Sequence, residues 1–168
     1  MKDLRLTYGW TRKPLQGYTD VDRSMSKDRK AILGYVFLID SGAVSWASKK
    51  QEIISLSTTK SEYIAVTHTM KEALWLHSFI GEVLVSLNKP ITLFSDNQST
   101  IALAKDHQYH ACTKHINIHF HFIQWVVDDG KIQLIFYPTN DMIANTLTKA
   151  LPLPKVKHFM AELRLCTD

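Results

Sequence analysis

Three acidic residues stand where an ordinary surface acid need not. Asp20 lies near the end of a stretch, 15–22, that reads as a strand, and Asp96 directly follows the short apolar run ITLFS at 91–95. Glu62 precedes Val66 by four residues, which puts it on the apolar stripe of a helix, one turn ahead of the core positions. A carboxylate facing inward costs several kcal/mol unless it is paired or binds a metal. Acids at strand ends and one on a neighbouring helix can converge on a single point. Hard divalent cations take such oxygen ligands, and Mg²⁺ prefers few carboxylates plus water and phosphate. Two such ions about 4 Å apart can clamp the attacking and leaving oxygens of a phosphodiester. Each acid also has a purely structural reading: Asp20 as a turn residue, Asp96 as an N-cap, Glu62 as a helix-start acid favoured by the dipole. Spacing alone leaves both readings open.

The elements that must carry these acids follow from periodicity and turn signals. Residues 1–14 read as an irregular lead-in closed by Lys13-Pro14. Strands are predicted over 15–22, 31–39 and 43–48, the last two joined through Asp40-Ser41-Gly42, a short hairpin turn. Ser57, Thr58 and Thr59 are N-cap candidates for a long helix. Its apolar residues recur at Val66, Met70, Ala73, Leu76 or Trp75, Ile80, Val83, Leu84 and Leu87, and Asn88-Lys89-Pro90 stops it. ITLFS reads as a strand buried on both faces. Helices are predicted over 98–105 and 113–128, the second ended by Gly130, then a strand over 132–137 and a helix over about 141–149. A last helix starts after Pro152 or Pro154 and runs to the end. Three leading strands joined by short turns are antiparallel, and later strands separated by helices are parallel to one another or to the first. The expectation is an α/β fold: a mixed five-stranded sheet with helices on both faces, its ligand site at the carboxyl ends of central strands.

Composition excludes several classes. With 168 residues, 45% apolar and 21% charged, the chain has the make-up of an ordinary globular domain rather than a disordered one. No apolar run approaches the roughly 20 residues that span a bilayer, so no membrane association is expected. The first residues carry charges but no apolar stretch, unlike a secretory signal, and Cys112 and Cys166 make no disulfide framework. An intracellular location, cytoplasmic or nuclear, is expected. Twenty lysines and arginines against 16 acids, a net charge of +4, lean weakly towards a polyanionic partner. Lys49, Lys50, Lys149, Lys155 and Lys157 are candidate phosphate contacts, with solvated surface charge as the alternative. Trp46 and Trp75 are expected in the core rather than as base-stacking platforms. His115 and His119 share a helix face among His107, His110, Cys112 and His121; a polar face with one core histidine is the expected reading, ahead of a zinc pair.

The wording of the chain goes further. GYTDVD (17–22), RKAILGYVF (29–37), AVSWASKKQ (43–51), SLSTTKSEYIA (55–65), SDNQSTIALA (95–104), TKHINIHFHFI (113–123) and YPTNDMIANTLTKALP (137–152) occur in this order. Together they resemble the ribonuclease H domain of Ty1/copia-type retrotransposon Pol polyproteins, from about residue 4 to residue 165. DLRLTYG resembles the stretch where the reverse transcriptase of such polyproteins ends, which would make Met1 an internal methionine of a longer ancestral frame. The resemblance divides the chain into a lead-in (1–14), a ribonuclease H-like domain (15–150) and a C-terminal helix or tail (151–168).

The resemblance implies a ribonuclease H-like sheet and metal-dependent hydrolysis of the RNA strand of RNA–DNA hybrids during reverse transcription. Its implied cofactor is Mg²⁺, with Mn²⁺ as a substitute, and no small-molecule cofactor is expected. Its implied partners are the hybrid and the reverse transcriptase portion of the parent polyprotein. The family places four acids around two ions. Three are here Asp20, Glu62 in SEY, and Asp96 in DNQS. The fourth belongs to a motif resembling AD-x-x-TK, and here the chain reads ANTLTK, so Asn145 stands where the acid is expected. Asp141, a turn earlier on the predicted helix, could supply part of the missing charge. Arg23, Lys60 and Cys112 stand where the family often has Trp, Glu and Arg. The alternative function is therefore a catalytically impaired remnant that folds and binds nucleic acid without efficient cleavage.

Overall fold

A computed structural model of the protein describes residues 3–9, 13–23, 30–52, 58–83, 89–105 and 117–167. Its strands are β1 (Leu4–Leu6), β2 (Gln16–Asp22), β3 (Ile32–Ile39), β4 (Gly42–Lys50), β5 (Ile91–Ser95), β6 (Ile132–Phe136) and β7 (Leu165–Thr167). The helices are α1 (Thr58–Val83), α2 (Gln98–Lys105), α3 (Asn117–Asp128), α4 (Asn145–Thr148) and α5 (Leu153–Glu162), with a 3₁₀ turn at Thr139–Asp141. The main sheet runs β4-β3-β2-β5-β6. Strands β2, β3 and β4 pair antiparallel, while β5 is parallel to both β2 and β6. This is the mixed five-stranded architecture that the sequence pattern predicts.

Asp40 and Ser41 form a two-residue hairpin loop, Ile39 pairing with Gly42, and both have positive φ, at 51° and 66°. A loop of this twist matches the right-handed twist of the flanking strands. One face of the sheet is covered by α1 and α3 through Phe37, Val66, Met70, Leu93, Ile123 and Leu134. The other is covered by the chain around α4 and α5, through Tyr18, Val36, Met142, Ile143 and Phe159. Tyr18, Phe94 and Tyr137 complete that second layer as an aromatic cluster, so β5 is fully buried on one face and only partly on the other.

Four local expectations are corrected. The lead-in is not wholly irregular: β1 pairs antiparallel with β7, and the Thr7 amide donates to the Arg164 carbonyl at 3.0 Å. For the same reason the last helix does not run to the end. It stops at Glu162, Arg164 takes a φ of 55°, and the chain turns back as a strand while Leu6 and Leu163 join the core. The helix expected over 141–149 is broken at Met142, whose ψ of 105° is extended; Met142, Ile143 and Ala144 are buried, and their carbonyls accept from the amides three residues on, in tight turns. Trp46 and Trp75 are 59% and 57% exposed rather than core. Trp46 lies on the edge strand β4 and lines an apolar cleft of about 160 Å³ with Leu6, Leu163 and Leu165. Trp75 lies on the outer face of α1, stacked on Phe79, while its neighbour Leu76 takes the buried stripe position. The expected N-cap Ser57 and the stripe residues Leu84 and Leu87 lie outside the described residues.

Gly34 lets the short helix α4 meet the sheet. It pairs with Asp20, and a β-carbon there would lie 2.7 Å from Thr148 Cγ2 and 2.9 Å from Leu147 Cβ. Leu147 Cβ is fixed to the main chain, the Thr148 methyl sits one bond from its own β-carbon, and the Ala144 carbonyl oxygen follows at 3.2 Å, so α4 itself would have to move. Gly34→Ala is therefore expected to cost about 1–3 kcal/mol, the usual range for overpacking, and to draw α4 away from Asp20. Urea unfolding of the variant checks the size of the loss.

Candidate active site

Asp20 lies within β2 and is 3% exposed. Alternation along the strand turns Thr19 towards α1, where its hydroxyl meets that of Thr69 at 3.0 Å, and turns Asp20 to the opposite face, under α4. The turn-residue reading of Asp20 is thereby excluded. Glu62 is in the second turn of α1 and is 8% exposed. The start of that helix is pinned to the end of β4 by the buried Gln51, whose Nε2 donates to the Ser61 carbonyl at 2.8 Å. Asp96 follows β5 and is half-buried, and it is not the cap of α2. Asn97 takes that role, its Oδ1 accepting from the Thr100 amide at 2.9 Å. Parallel pairing of β2 with β5, Thr19 opposite Ser95, brings Asp20 and Asp96 to the same end of the sheet.

The three acids feel one another. Glu62 is pushed up from an ordinary 4.5 to about 8, first by burial and then by the negative charges of Asp96 and Asp20. A hydrogen bond from Asn97 and the charge of Lys149 oppose that rise. Asp20 is also raised, by burial above all, against the Thr148 hydrogen bond and Lys149, with Asp96 adding to the rise. Asn145 is 2% exposed and is linked to Asp20 by the side chain of Lys149. The Lys149 ammonium is 3.1 Å from Asp20 Oδ1 and 2.8 Å from Asn145 Oδ1. Thr148 donates its hydroxyl to Asp20 Oδ2, and Asn145 Nδ2 donates to the Thr139 carbonyl at 2.6 Å. Ser48 holds the helix turn that carries these groups, its hydroxyl donating to the Leu147 carbonyl at 2.6 Å.

Among the described residues, no three His, Cys, Asp or Glu side chains close around one point as a finished metal cage. In kind, the donors suit a hard divalent cation. They are carboxylate and amide oxygens, and their mutual repulsion is what a cation would relieve. As they stand, Asp20 and Asn145 both bind the Lys149 ammonium. Asp141 is exposed and belongs to the separate 3₁₀ turn, so the same-face argument for its standing in for Asn145 no longer holds. His107, His110, Cys112 and His115 lie outside the described residues. His119 is half-buried and His121 exposed, and Cys166 is a free, exposed thiol. The two residues that sequence reasoning missed in this role are Thr148 and Lys149. Their distance of three and four residues from Asn145 is the spacing that puts side chains on one helix face, a signal present in TLTK.

The raised Glu62 has a consequence for stability. Its folded value of about 8 lies above the ordinary 4.5, so the folded protein keeps a proton that the unfolded chain has released between those two values. Without metal, its contribution is fully present below the lower value and is lost as pH rises through the upper one. Urea unfolding in chelator is expected to show stability falling from about pH 5 to pH 8. Glu62→Gln, which cannot ionise, should flatten that slope and stabilise the metal-free protein at pH 8. An unchanged slope in the variant would assign the fall to other groups.

No protein-family model matches the chain. It is 42% identical over 151 residues to the retrovirus-related Pol polyprotein from transposon TNT 1-94 of Nicotiana tabacum, covering 89% of this chain and 11% of that protein. It is 32% identical over 150 residues to the corresponding polyprotein from transposon RE1 of Arabidopsis thaliana, covering 89% of this chain and 10% of that one. The chain thus spans about a tenth of the length of these curated relatives. Among solved structures, LC11-RNase H1 in complex with an RNA/DNA hybrid superimposes with a TM-score of 0.57 over 80% of this chain and 93% of the other, at 14% identity. No helix of the described residues is long and apolar enough to cross a membrane. The homologues of this chain over most of its length are thus Ty1/copia-type retrotransposon Pol polyproteins, and its fold is that of ribonuclease H.

Proposed function

We infer that the chain hydrolyses the RNA strand of RNA–DNA hybrids in a divalent-metal-dependent reaction, as the ribonuclease H of a retrotransposon during reverse transcription. The observation that carries this reading is the buried pair Asp20, in β2, and Glu62, on α1: both carboxyls are raised by burial and by the charge of Asp96, which parallel pairing of β2 with β5 brings to the same end of the sheet as Asp20. Two Mg²⁺ or Mn²⁺ ions bound there would stabilise charge on the attacking and leaving oxygens of the scissile phosphate. Asp20 would serve both ions, Glu62 and Asp96 the second and Asn145 the first. Choice of the hybrid would rest on minor-groove contacts to 2′-hydroxyls, which only the RNA strand offers. The fold neighbour that holds an RNA/DNA hybrid, and relatives that are whole Pol polyproteins, support a hybrid substrate and a reverse transcriptase portion as partner.

A second reading is favoured by one observation. Asn145 brings no charge and its amide oxygen is bound by Lys149, so this copy would be an impaired form that retains the fold and hybrid binding. Incubation of end-labelled hybrid with Mg²⁺ or Mn²⁺, with Asp20→Asn as the blank, distinguishes the two. Cleavage above the blank supports the enzyme. Salt-sensitive binding that prefers hybrid over DNA duplex, without cleavage, supports the impaired form. Equal, salt-insensitive binding of both duplexes would sink both readings.

A further inference from the structure

The metal-dependent reading leaves Lys149 without a part, although its ammonium binds two of the four candidate residues, Asp20 and Asn145. Its main chain is fixed, the amide donating to the Asn145 carbonyl at 2.9 Å to close the turn of α4. Its side chain, 30% exposed, reaches inward to an Asp20 side chain that is 2% exposed. Nζ bridges Asp20 Oδ1 and Asn145 Oδ1, and Thr148 takes the other Asp20 oxygen. Asp20 therefore has both oxygens engaged, one of them by a full positive charge. A magnesium ion ligated by these oxygens would sit about 2 Å from each, inside the distance at which the ammonium now stands. Two cations cannot share that space.

We propose that Lys149 is a built-in counter-ion that competes with divalent metal for Asp20 and Asn145, so that metal enters the site in exchange for the lysine ammonium. The proposal rests on the metal-binding reading given under Proposed function. The exchange is one of position: no bond is made or broken, and the lysine leaves on a flexible four-carbon stem whose exposed part already reaches solvent. An affinity measured for metal is then reduced by the fraction of molecules in which the lysine holds the site. Asn145 sharpens the competition, because a neutral amide holds an ammonium but adds nothing to the pull on a doubly charged ion.

Direct Mn²⁺ binding, followed by the electron paramagnetic resonance of the free ion, tests this together with thermal unfolding in chelator and in rising MnCl₂. Lys149→Met keeps the length and apolar stem and removes the charge. It is expected to melt several degrees lower in chelator, to bind Mn²⁺ about tenfold more tightly, and to close the gap in melting temperature as Mn²⁺ rises. Lys149→Arg keeps the charge, so it should bind Mn²⁺ no more tightly than the parent even if the Met variant does not fold. A Met variant that binds no more tightly, a melting gap that stays constant at every Mn²⁺ concentration, or an Arg variant that binds more tightly than the parent would each overturn the proposal. Asp20→Asn separates this from the underlying reading. If it binds Mn²⁺ as well as the parent, the metal does not use Asp20 and the functional reading itself fails.

Discussion

Asp20→Asn is expected to bring hybrid cleavage down to the level of a protein-free control, a loss of about a thousandfold, or roughly 4 kcal/mol of transition-state stabilisation. Asp20 feels the charge of Asp96, adds to the rise of Glu62, and shares the Lys149 ammonium with Asn145. The amide has almost the same shape, so the loss should come without collapse of the fold. The raised Asp20 carboxyl already resists ionisation, and removing its charge also leaves Lys149 a partner in Asn145. Unfolding free energy in chelator should therefore change by no more than about 1 kcal/mol. Rates of hybrid cleavage at saturating Mn²⁺, set beside urea unfolding of the same preparation, check both halves. Cleavage by the variant within tenfold of the parent would remove Asp20 from the reaction.

Asn145→Asp is expected to act in the opposite direction, raising cleavage at least tenfold at low Mg²⁺ by restoring a charged oxygen beside Asp20. The structure adds a cost that near-equal side-chain size conceals. Asn145 Nδ2 donates to the Thr139 carbonyl at 2.6 Å, and a carboxylate there would set oxygen against oxygen in a residue that is 2% exposed. The metal-free variant should therefore lose about 1–3 kcal/mol of stability, the penalty of a buried polar group without its partner. Activity and metal-free stability should move apart, which a simple improvement in folding would not produce. Asp141→Asn is expected to change nothing, since that side chain is exposed in a different turn. If Asn145→Asp cleaves no faster than a parent that is itself well above the Asp20→Asn blank, position 145 does not hold the fourth ligand.

Much of this was legible in the chain because it depends on local pattern. Strand and helix periodicity predicted β5 and α2 at their observed bounds, and the order of elements with their connection lengths implied a mixed five-stranded sheet. The seven motifs carried the family, and with it Asp20, Glu62, Asp96 and Asn145 as candidate residues. Patterning was blind where one segment's conformation depends on a distant one. Leu165–Thr167 leaves the helix because Leu4–Leu6 offers it a strand partner, and nothing near either segment signals the other. Trp46 and Trp75 are apolar enough for a core, but a place on an edge strand and on an outward helix face is set only once the layers have packed.

The sequence by itself determined which acids are present, the neutral amide at position 145 where the resemblance expects an acid, and the sheet that would carry them, since residue type and spacing are local properties. What sits between those groups was decided only by tertiary structure. Lys149 reads as a surface cation suited to phosphate, yet it closes on an aspartate 129 residues away. It does so because Gly34 lets α4 press onto β2, and burial makes an uncompensated carboxylate more costly than the ordering of one lysine side chain. Asp141 left the site for a related reason: burying Met142, Ile143 and Ala144 under the sheet broke the helix that would have aligned it with Asn145.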